Sequence, residues 1–238
     1  MRSMKTLIPK LESILGVKKS PSLQERELFK KTQDFVPFIT WIPGLRMIAV
    51  SNSLAMYATH PDSDIDLFIV TAPRRLWLVR TFVLGIAMIL WVRTKTWDEA
   101  GKFCFPFFIT QRNLSLKGIA LENDIYLAYW ISTLKPIYNS FDTYGRFLRV
   151  NEWIGLSVNR EENEQYLLQT RDSDFGNVFI LSTLFDWMDS LFGWISQWSI
   201  DRRVRALKRI DEIVVSDDML KLHYNDRRGE LREGVMER

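Results

Sequence analysis

Two aspartates separated by one residue, Asp64 and Asp66, are the side chains of this sequence best placed to do chemistry. They stand at the start of an apolar run, residues 65–70, that is typical of a buried strand. Because successive strand side chains point to opposite sides, the two carboxylates would share one side, while Ile65 and Leu67 face the core. Carboxylates held this close repel each other unless a cation neutralises them, and hard oxygen ligands suit Mg²⁺. The spacing therefore predicts a divalent metal site, with two hydrated aspartates at a strand end as the alternative.

A small polar turn precedes this acidic pair. Residues 45–50 (LRMIAV) are predicted as a strand and residues 54–58 as a short helix, joined by Ser51, Asn52 and Ser53. Backbone amides at a helix start, together with a hydroxyl, readily bind phosphate. Asparagine also tolerates a left-handed backbone better than most residues do. The turn is therefore a predicted phosphate-binding feature that leads towards the acidic pair.

This order of strand, polar turn, helix and Asp-x-Asp strand resembles the DNA polymerase beta nucleotidyltransferase superfamily over residues 40–110. That family has a Gly-Ser pair on the turn, which Asn52-Ser53 matches here with Asn in place of Gly. Its Asp-x-Asp pair is matched by Asp64 and Asp66. The resemblance implies transfer of a nucleoside monophosphate from an NTP to a hydroxyl acceptor, with Mg²⁺ or Mn²⁺ as cofactor.

The resemblance also implies roles for individual residues. Asp64 and Asp66 would hold the metal, Asn52 and Ser53 would cradle phosphate, and Ser63 would orient the acidic turn. Positive charge must also meet the triphosphate, and arginine suits bidentate contact with phosphate. Arg75 and Arg80 follow the acidic strand and are the candidates for that contact, with solvated helix residues as the alternative.

Enzymes of this superfamily usually add a third carboxylate from a neighbouring strand. The strand predicted for that position, residues 103–110 (FCFPFFIT), contains no acid, and its Cys104 is expected to be a core residue. Acids before and after this strand are the candidates for a displaced third ligand or general base: Asp98, Glu99, Glu122 and Asp124. The alternative for the acids at the helix start is simple stabilisation of the helix dipole.

Composition limits the class of protein. With 238 residues the chain has room for one large domain or two small ones, and 47% hydrophobic and 26% charged residues are ordinary for a globular protein. A single cysteine excludes an internal disulfide and favours a reducing compartment. One cysteine and two histidines also make a structural zinc site a poor interpretation.

The predicted fold is α+β, with a mixed sheet flanked by helices and a helical C-terminal extension. We expect residues 1–158 to form the nucleotidyltransferase-like domain and residues 159–238 to form the extension, packed on it. Pro106 predicts an edge strand or a bulge. Helices are expected at residues 9–15, 23–36, 74–93, 121–134, 141–153 and 177–200, and strands at 45–50, 65–71 and 103–110.

The helix predicted at residues 177–200 is dense in large apolar residues and carries three tryptophans. Its polar or small positions recur every three or four residues: Ser182, Asp186, Asp189, Gly193 and Gln197. A broad apolar face must be covered, by the domain itself, by a second copy in a homodimer, or by a membrane surface. A basic cluster follows, interpreted as a solvated helix face or as a guide for a polyanionic acceptor: Arg202, Arg203, Arg205, Lys208 and Arg209.

The uncharged run at residues 81–92 is too short to span a bilayer, and the N-terminus lacks the apolar centre of a secretion signal, so we expect a cytoplasmic protein. The acceptor is open: a small molecule, a protein side chain or an RNA end. Two alternatives to the enzyme remain. One is a catalytically degenerate relative that acts as a nucleotide-binding or protein-interaction module, and the other is a partner-dependent protein whose apolar helix docks elsewhere.

Overall fold

In the computed structural model, the apolar runs predicted as strands form the middle of a six-stranded mixed sheet. The structure describes residues 4–94, 100–168, 179–206, 213–222 and 228–236. Helices flank the sheet on both faces, so the fold class is α+β. The strands are β1 (Leu45–Val50), β2 (Ile65–Thr71), β3 (Phe103–Thr110), β4 (Lys135–Asn139), β5 (Val214–Val215) and β6 (Met219–Lys221). The helices are α1 (Met4–Leu15), α2 (Leu23–Phe35), α3 (Asn52–Ala55), α4 (Leu76–Ile89), α5 (Ile125–Thr133), α6 (Thr143–Val150), α7 (Arg160–Glu164), α8 (Phe179–Ala206) and α9 (Arg228–Met236).

The strand order across the sheet is β4-β1-β2-β3-β6-β5. β2 and β3 are parallel and α4 lies in the crossover between them, while the other neighbours are antiparallel. Asp66 pairs with Cys104 and Phe68 with Phe107, so β3 carries an extra residue between these pairs. Pro106 lies in this bulge, where a missing amide proton is tolerated. Of the two options predicted for Pro106, the bulge is confirmed, and the edge strand is wrong because β3 lies inside the sheet.

Each face of the sheet has its own hydrophobic core. Ile65, Leu67 and Ile69 of β2 face a core that also contains side chains of α2, α4 and α8. Phe68 and Val70 face a second core, built with α1, α5, α6 and α9. The alternation follows from the two-residue period of a strand, and it confirms that Ile65 and Leu67 point inward.

Three strands were not predicted. β4 lies between two predicted helices, and its sequence, KPIYN, begins with a lysine and a proline that do not favour a strand. β5 and β6 lie in the segment expected to be a helical extension, and they join the sheet at β3. The segment expected to be a helical extension therefore contains three helices among its described residues and also contributes two short strands to the sheet. Strands of two or three residues are too short to display a periodic pattern.

α8 packs against α4 through the side chains that the spacing had marked as polar or small. Asp189 Oδ1 accepts a hydrogen bond from the backbone N–H of Leu78 at 2.7 Å, and a Cβ added to Gly193 would lie 2.8 Å from the Trp77 ring. Some large apolar residues of α8 also pack on the core, among them Phe185, Phe192 and Ile200. Others are exposed on the outward side, which the described part of the chain does not cover: Leu184, Trp187, Leu191, Trp194, Ile195 and Trp198. Among the described residues, no helix combines the length and the hydropathy needed to cross a bilayer.

Candidate functional site

The turn that leads to the acidic pair is held by the start of α2. Glu25 is buried, and its carboxylate accepts hydrogen bonds from the backbone N–H of Thr59 at 3.2 Å and from the Thr59 hydroxyl at 3.0 Å. Lys18 Nζ lies 2.8 Å from the same carboxylate. One turn later, Ser63 Oγ accepts a hydrogen bond from the backbone N–H of His60 at 2.9 Å. Ser63 therefore closes the turn that immediately precedes Asp64.

The beginnings of β2 and β3 bring three potential ligands together. The backbone N–H of Ile65 donates to the carbonyl of Lys102 at 2.8 Å, which aligns the two parallel strands. Asp66 and Cys104 are then partners in register. One ligand atom from each of Asp64, Asp66 and Cys104 lies within 4.8 Å of the others. The two carboxylates therefore converge on one point, as their spacing predicts.

Asn52 supports this point from the turn after β1. Its φ of 53° is left-handed, which is a conformation that asparagine tolerates. Its Nδ2 donates to Asp66 Oδ2 at 2.8 Å, and its Oδ1 accepts from Trp130 Nε1 at 2.8 Å. Because an indole N–H can only donate, Trp130 fixes which way the amide of Asn52 points. The side chain of Asn52 therefore orients Asp66, and the phosphate contact of Asn52 and Ser53 stays a prediction.

The turn itself begins α3 earlier than predicted, at Asn52 rather than at residue 54. Ser53 is half-buried in the first turn of that helix, and its carbonyl accepts from the N–H of Ala58 at 2.8 Å. The backbone N–H of Ser51 donates to the Asp66 carbonyl at 2.9 Å, so the turn and the acidic strand are tied together.

Cys104 was predicted to be a core residue, and this prediction is wrong. It is partly exposed, at the one position of β3 that is not buried. Its thiol lies within hydrogen-bonding reach of the Asp66 carboxylate. The signal was present in the sequence, because Cys104 is the second residue of its strand and Asp66 the second residue of the strand beside it. What was missing was the knowledge that the two strands are adjacent and parallel.

Asp66 and Cys104 share an environment that disfavours negative charge. Burial raises the pKa of Asp66, and the hydrogen bonds from Asn52 and Cys104 only partly oppose this. Burial also raises the pKa of the Cys104 thiol, and the charges of Asp66 and Asp64 raise it further. A cation bound between these groups would favour their deprotonated forms. The two carboxylate oxygens fit a hard ion such as Mg²⁺ or Mn²⁺, whereas a thiol is not a ligand that Mg²⁺ prefers.

A cavity of about 630 Å³ adjoins the three ligands. Arg80 of α4 and Arg93 line it, and α8 contributes the opposite wall through Ile195, Ser196, Ser199 and Ile200. An Arg80 Nη1–H donates to the Ser196 hydroxyl at 3.4 Å. Arg80 thus lines the cavity beside the two carboxylates, and its contact with phosphate stays a prediction. Sequence reasoning missed Arg93, which reaches the cavity because residue 93 forms a parallel bridge with Phe103.

Arg75 does not line this cavity. It is buried between α4 and α8, where its guanidinium pairs with Asp186 and donates to the carbonyl of Ser182 at 3.2 Å. The geometry therefore gives Arg75 a structural role, in place of the predicted contact with phosphate.

The candidates for a third carboxylate do not join the cluster within the described part of the chain. Asp124 is buried as the N-cap of α5, accepts from the N–H of Leu127 at 2.9 Å, and pairs with Arg228. Glu122 is exposed just before that helix, and it does not line the cavity. Asp98 and Glu99 lie outside the described residues. Asp124 therefore stabilises the start of α5, which is the alternative to a role as metal ligand or general base.

Compared with known proteins, the chain matches no family model, and no curated protein or solved structure is similar to it. The functional interpretation therefore depends on the residues and the geometry described above.

Proposed function

We propose that the protein is a metal-dependent nucleotidyltransferase that moves a nucleoside monophosphate from an NTP to a hydroxyl acceptor. One observation carries the proposal: the carboxylates of Asp64 and Asp66 converge beside a turn whose Asn52 orients Asp66. The chain order of strand, polar turn, short helix and acidic strand, which the superfamily resemblance requires, is also the order of β1, α3 and β2.

Each residue of the site has a role in this proposal. A bound Mg²⁺ or Mn²⁺ would supply electrostatic stabilisation of the charge that develops on the reacting phosphate. Asp64 and Asp66 hold that ion, and Asn52 keeps Asp66 in position. Arg80 and Arg93 offset the charge of the triphosphate in the cavity, whose volume of about 630 Å³ is within the range of small-molecule sites.

A second candidate function is favoured by Cys104. Where the superfamily usually has a carboxylate on the neighbouring strand, this chain has a thiol in register with Asp66. A site with two carboxylates holds fewer ions than one with three, because each Mg²⁺ needs several oxygen ligands. The alternative is therefore a module that binds nucleotide at this site but does not catalyse its transfer.

Labelled NTPs distinguish the two functions. We expect the protein, incubated with each NTP and Mg²⁺ or Mn²⁺, to transfer label to itself or to an added hydroxyl acceptor. Asp64→Ala and Asp66→Ala should abolish transfer, while Asp62→Ala, an exposed acid on the same turn, should not. Nucleotide binding that depends on Asp64 and Asp66, with no transfer to any acceptor, would favour the module. Transfer that survives both substitutions would falsify the enzyme proposal.

A further inference from the structure

α8 turns both polar and apolar side chains towards the protein, and it turns a second apolar side outward. Phe185, Met188, Phe192 and Ile200 pack on the core. Both of the acids between residues 182 and 200 also face the protein: Asp186 pairs with Arg74 and Arg75, and Asp189 accepts from the N–H of Leu78. An ordinary surface helix likewise buries an apolar stripe, but it exposes its charges rather than a second apolar side.

The outward side forms what we call the α8 stripe. Its members follow helical spacing and are between 38% and 71% exposed: Leu184, Trp187, Leu191, Trp194, Ile195 and Trp198. From residue 182 to residue 200, a stretch that is fully described, every exposed side chain is uncharged, and only Thr183 and Ser190 among them are polar. An apolar surface of this extent is uncommon on a protein that has no partner there.

The apolar surface continues beyond α8. Trp41 is 56% exposed and its ring lies 6.1 Å from that of Phe82, which in turn lies 6.3 Å from that of Phe192 on α8. The C-terminal end of α4 adds a further group of exposed apolar residues: Met88, Ile89, Leu90 and Trp91. Two helices and a loop therefore contribute to the same kind of surface.

A charged segment with a net positive charge follows the stripe. Asp201 and Arg202 are both exposed, and the guanidinium carbon of Arg202 lies 4.0 Å from the centre of the Trp198 ring. From residue 201 to residue 212 the sequence contains five basic residues and three acids. A helix with tryptophans and aliphatic residues on one side and a basic flank is typical of segments that lie in the interface of an anionic membrane.

We propose that the α8 stripe docks on the surface of an anionic lipid bilayer, with α8 lying in the plane of the interface. Tryptophan suits this layer because its ring is apolar and its N–H can reach water or headgroups. The basic flank supplies the charge complementarity, since phosphate headgroups can receive Arg202. A second copy is the competing occupant. In an antiparallel pair of stripes, Thr183 and Leu184 at the other end would offer Arg202 no negative charge. This inference does not depend on nucleotidyl transfer.

Co-sedimentation of the full chain with vesicles tests the proposal. We expect binding to phosphatidylcholine vesicles that contain phosphatidylserine, weaker binding to phosphatidylcholine alone, and a decrease with salt. The triple substitution Trp187→Ser, Trp194→Ser and Trp198→Ser should abolish binding, and Arg202→Gln should reduce it by roughly fivefold, as the loss of one cation near the surface predicts. Brominated lipids should quench tryptophan fluorescence of the unmodified protein and leave the triple variant nearly unquenched.

A matched control removes exposed apolar residues elsewhere. Leu23→Ser with Val150→Ser should bind vesicles as the unmodified protein does, because neither residue lies near α8 in the sequence or belongs to the stripe. Circular dichroism establishes that each variant is folded, as expected for exposed positions. Absence of binding to both vesicle types overturns the proposal. A dimer in light scattering that Trp194→Glu separates into monomers also overturns it, in favour of a second copy.

Discussion

Asp66 and Cys104 are partners in register on the parallel strands β2 and β3, so a thiol lies where a carboxylate would complete a three-acid metal site. The pairing follows from backbone hydrogen bonds that align the two strand starts. We therefore expect the identity of residue 104 to determine which ions the proposed site prefers.

Replacing the thiol with a carboxylate should strengthen binding of hard cations. We expect Cys104→Asp to raise Mg²⁺ affinity by about tenfold or more, because a third oxygen ligand joins the two aspartates. Calorimetric titration with Mg²⁺ and Mn²⁺ measures the change. Cys104→Ser is the control for loss of the thiol alone. If Cys104→Asp binds Mg²⁺ no better than Cys104→Ser, residue 104 does not face the ion.

The hydrogen bond from Asn52 should matter for the metal more than for folding. Asn52→Gly keeps a residue that accepts a left-handed φ but removes the amide that orients Asp66. We expect it to weaken Mn²⁺ binding by about tenfold, the usual cost of losing a group that orients a ligand. Trp130→Phe should weaken binding in the same direction, since it removes the donor that fixes the Asn52 amide. Unchanged Mn²⁺ affinity in both variants would contradict this view of the turn.

Glu25 should make stability depend on acid pH. Burial raises its pKa, but hydrogen bonds from Lys18, Ser22 and Thr59 outweigh this and lower it from 4.5 to about 2. Because the folded-state pKa is the lower one, ionised Glu25 stabilises the protein above about pH 4.5, and this contribution is lost as the pH falls towards 2.

Chemical unfolding across this pH range checks the prediction. At pH 7 we expect Glu25→Gln to lower the free energy of unfolding by about 3 kcal/mol, the value that this shift in pKa implies. The difference from the unmodified protein should shrink as the pH falls below 4.5. Glu27→Gln, an exposed residue on the same helix, should change stability little. An equal loss at pH 2.5 and pH 7 would show that the charge of Glu25 is not the cause.

The contact between α4 and α8 should be intolerant of a methyl group at Gly193. Its Cβ would lie 2.8 Å from the ring of Trp77, which is fully buried and has no room to shift. We expect Gly193→Ala to cost about 1–3 kcal/mol through overpacking. Gly85→Ala is the matched control, because nothing lies within 4 Å of its Cβ and alanine favours a helix. Thermal unfolding should therefore rank Gly193→Ala below the unmodified protein and Gly85→Ala at or above it.

The central strands could be predicted because each is an apolar run with a clear boundary, and the acidic pair followed from the two-residue period of β2. The position of Cys104 could not be predicted in the same way. Its neighbour depends on which strands are adjacent, and adjacency is decided by the crossover through α4 rather than by local pattern.

The local sequence pattern could also not predict which side of α8 faces the protein. The spacing of Asp186, Asp189 and Gly193 correctly indicated one side of a helix. Whether that side faces water or protein depends on the partners that the start of α4 provides. These are Arg74 and Arg75 just before the helix, the N–H of Leu78, which donates to Asp189, and the Trp77 ring, which lies against Gly193. Partners of this kind make a polar interface more favourable than an apolar one.

The positive φ of Asn52 restricts which amino acids this position can accept in a saturation library. The left-handed backbone disfavours β-branched side chains, and glycine fits the backbone but leaves Asp66 without its donor. Aspartate also tolerates the conformation, yet it would set a third like charge against the acidic pair. Asparagine is therefore the one common residue that satisfies both the geometry and the chemistry, and we expect selection for metal binding to recover it almost alone.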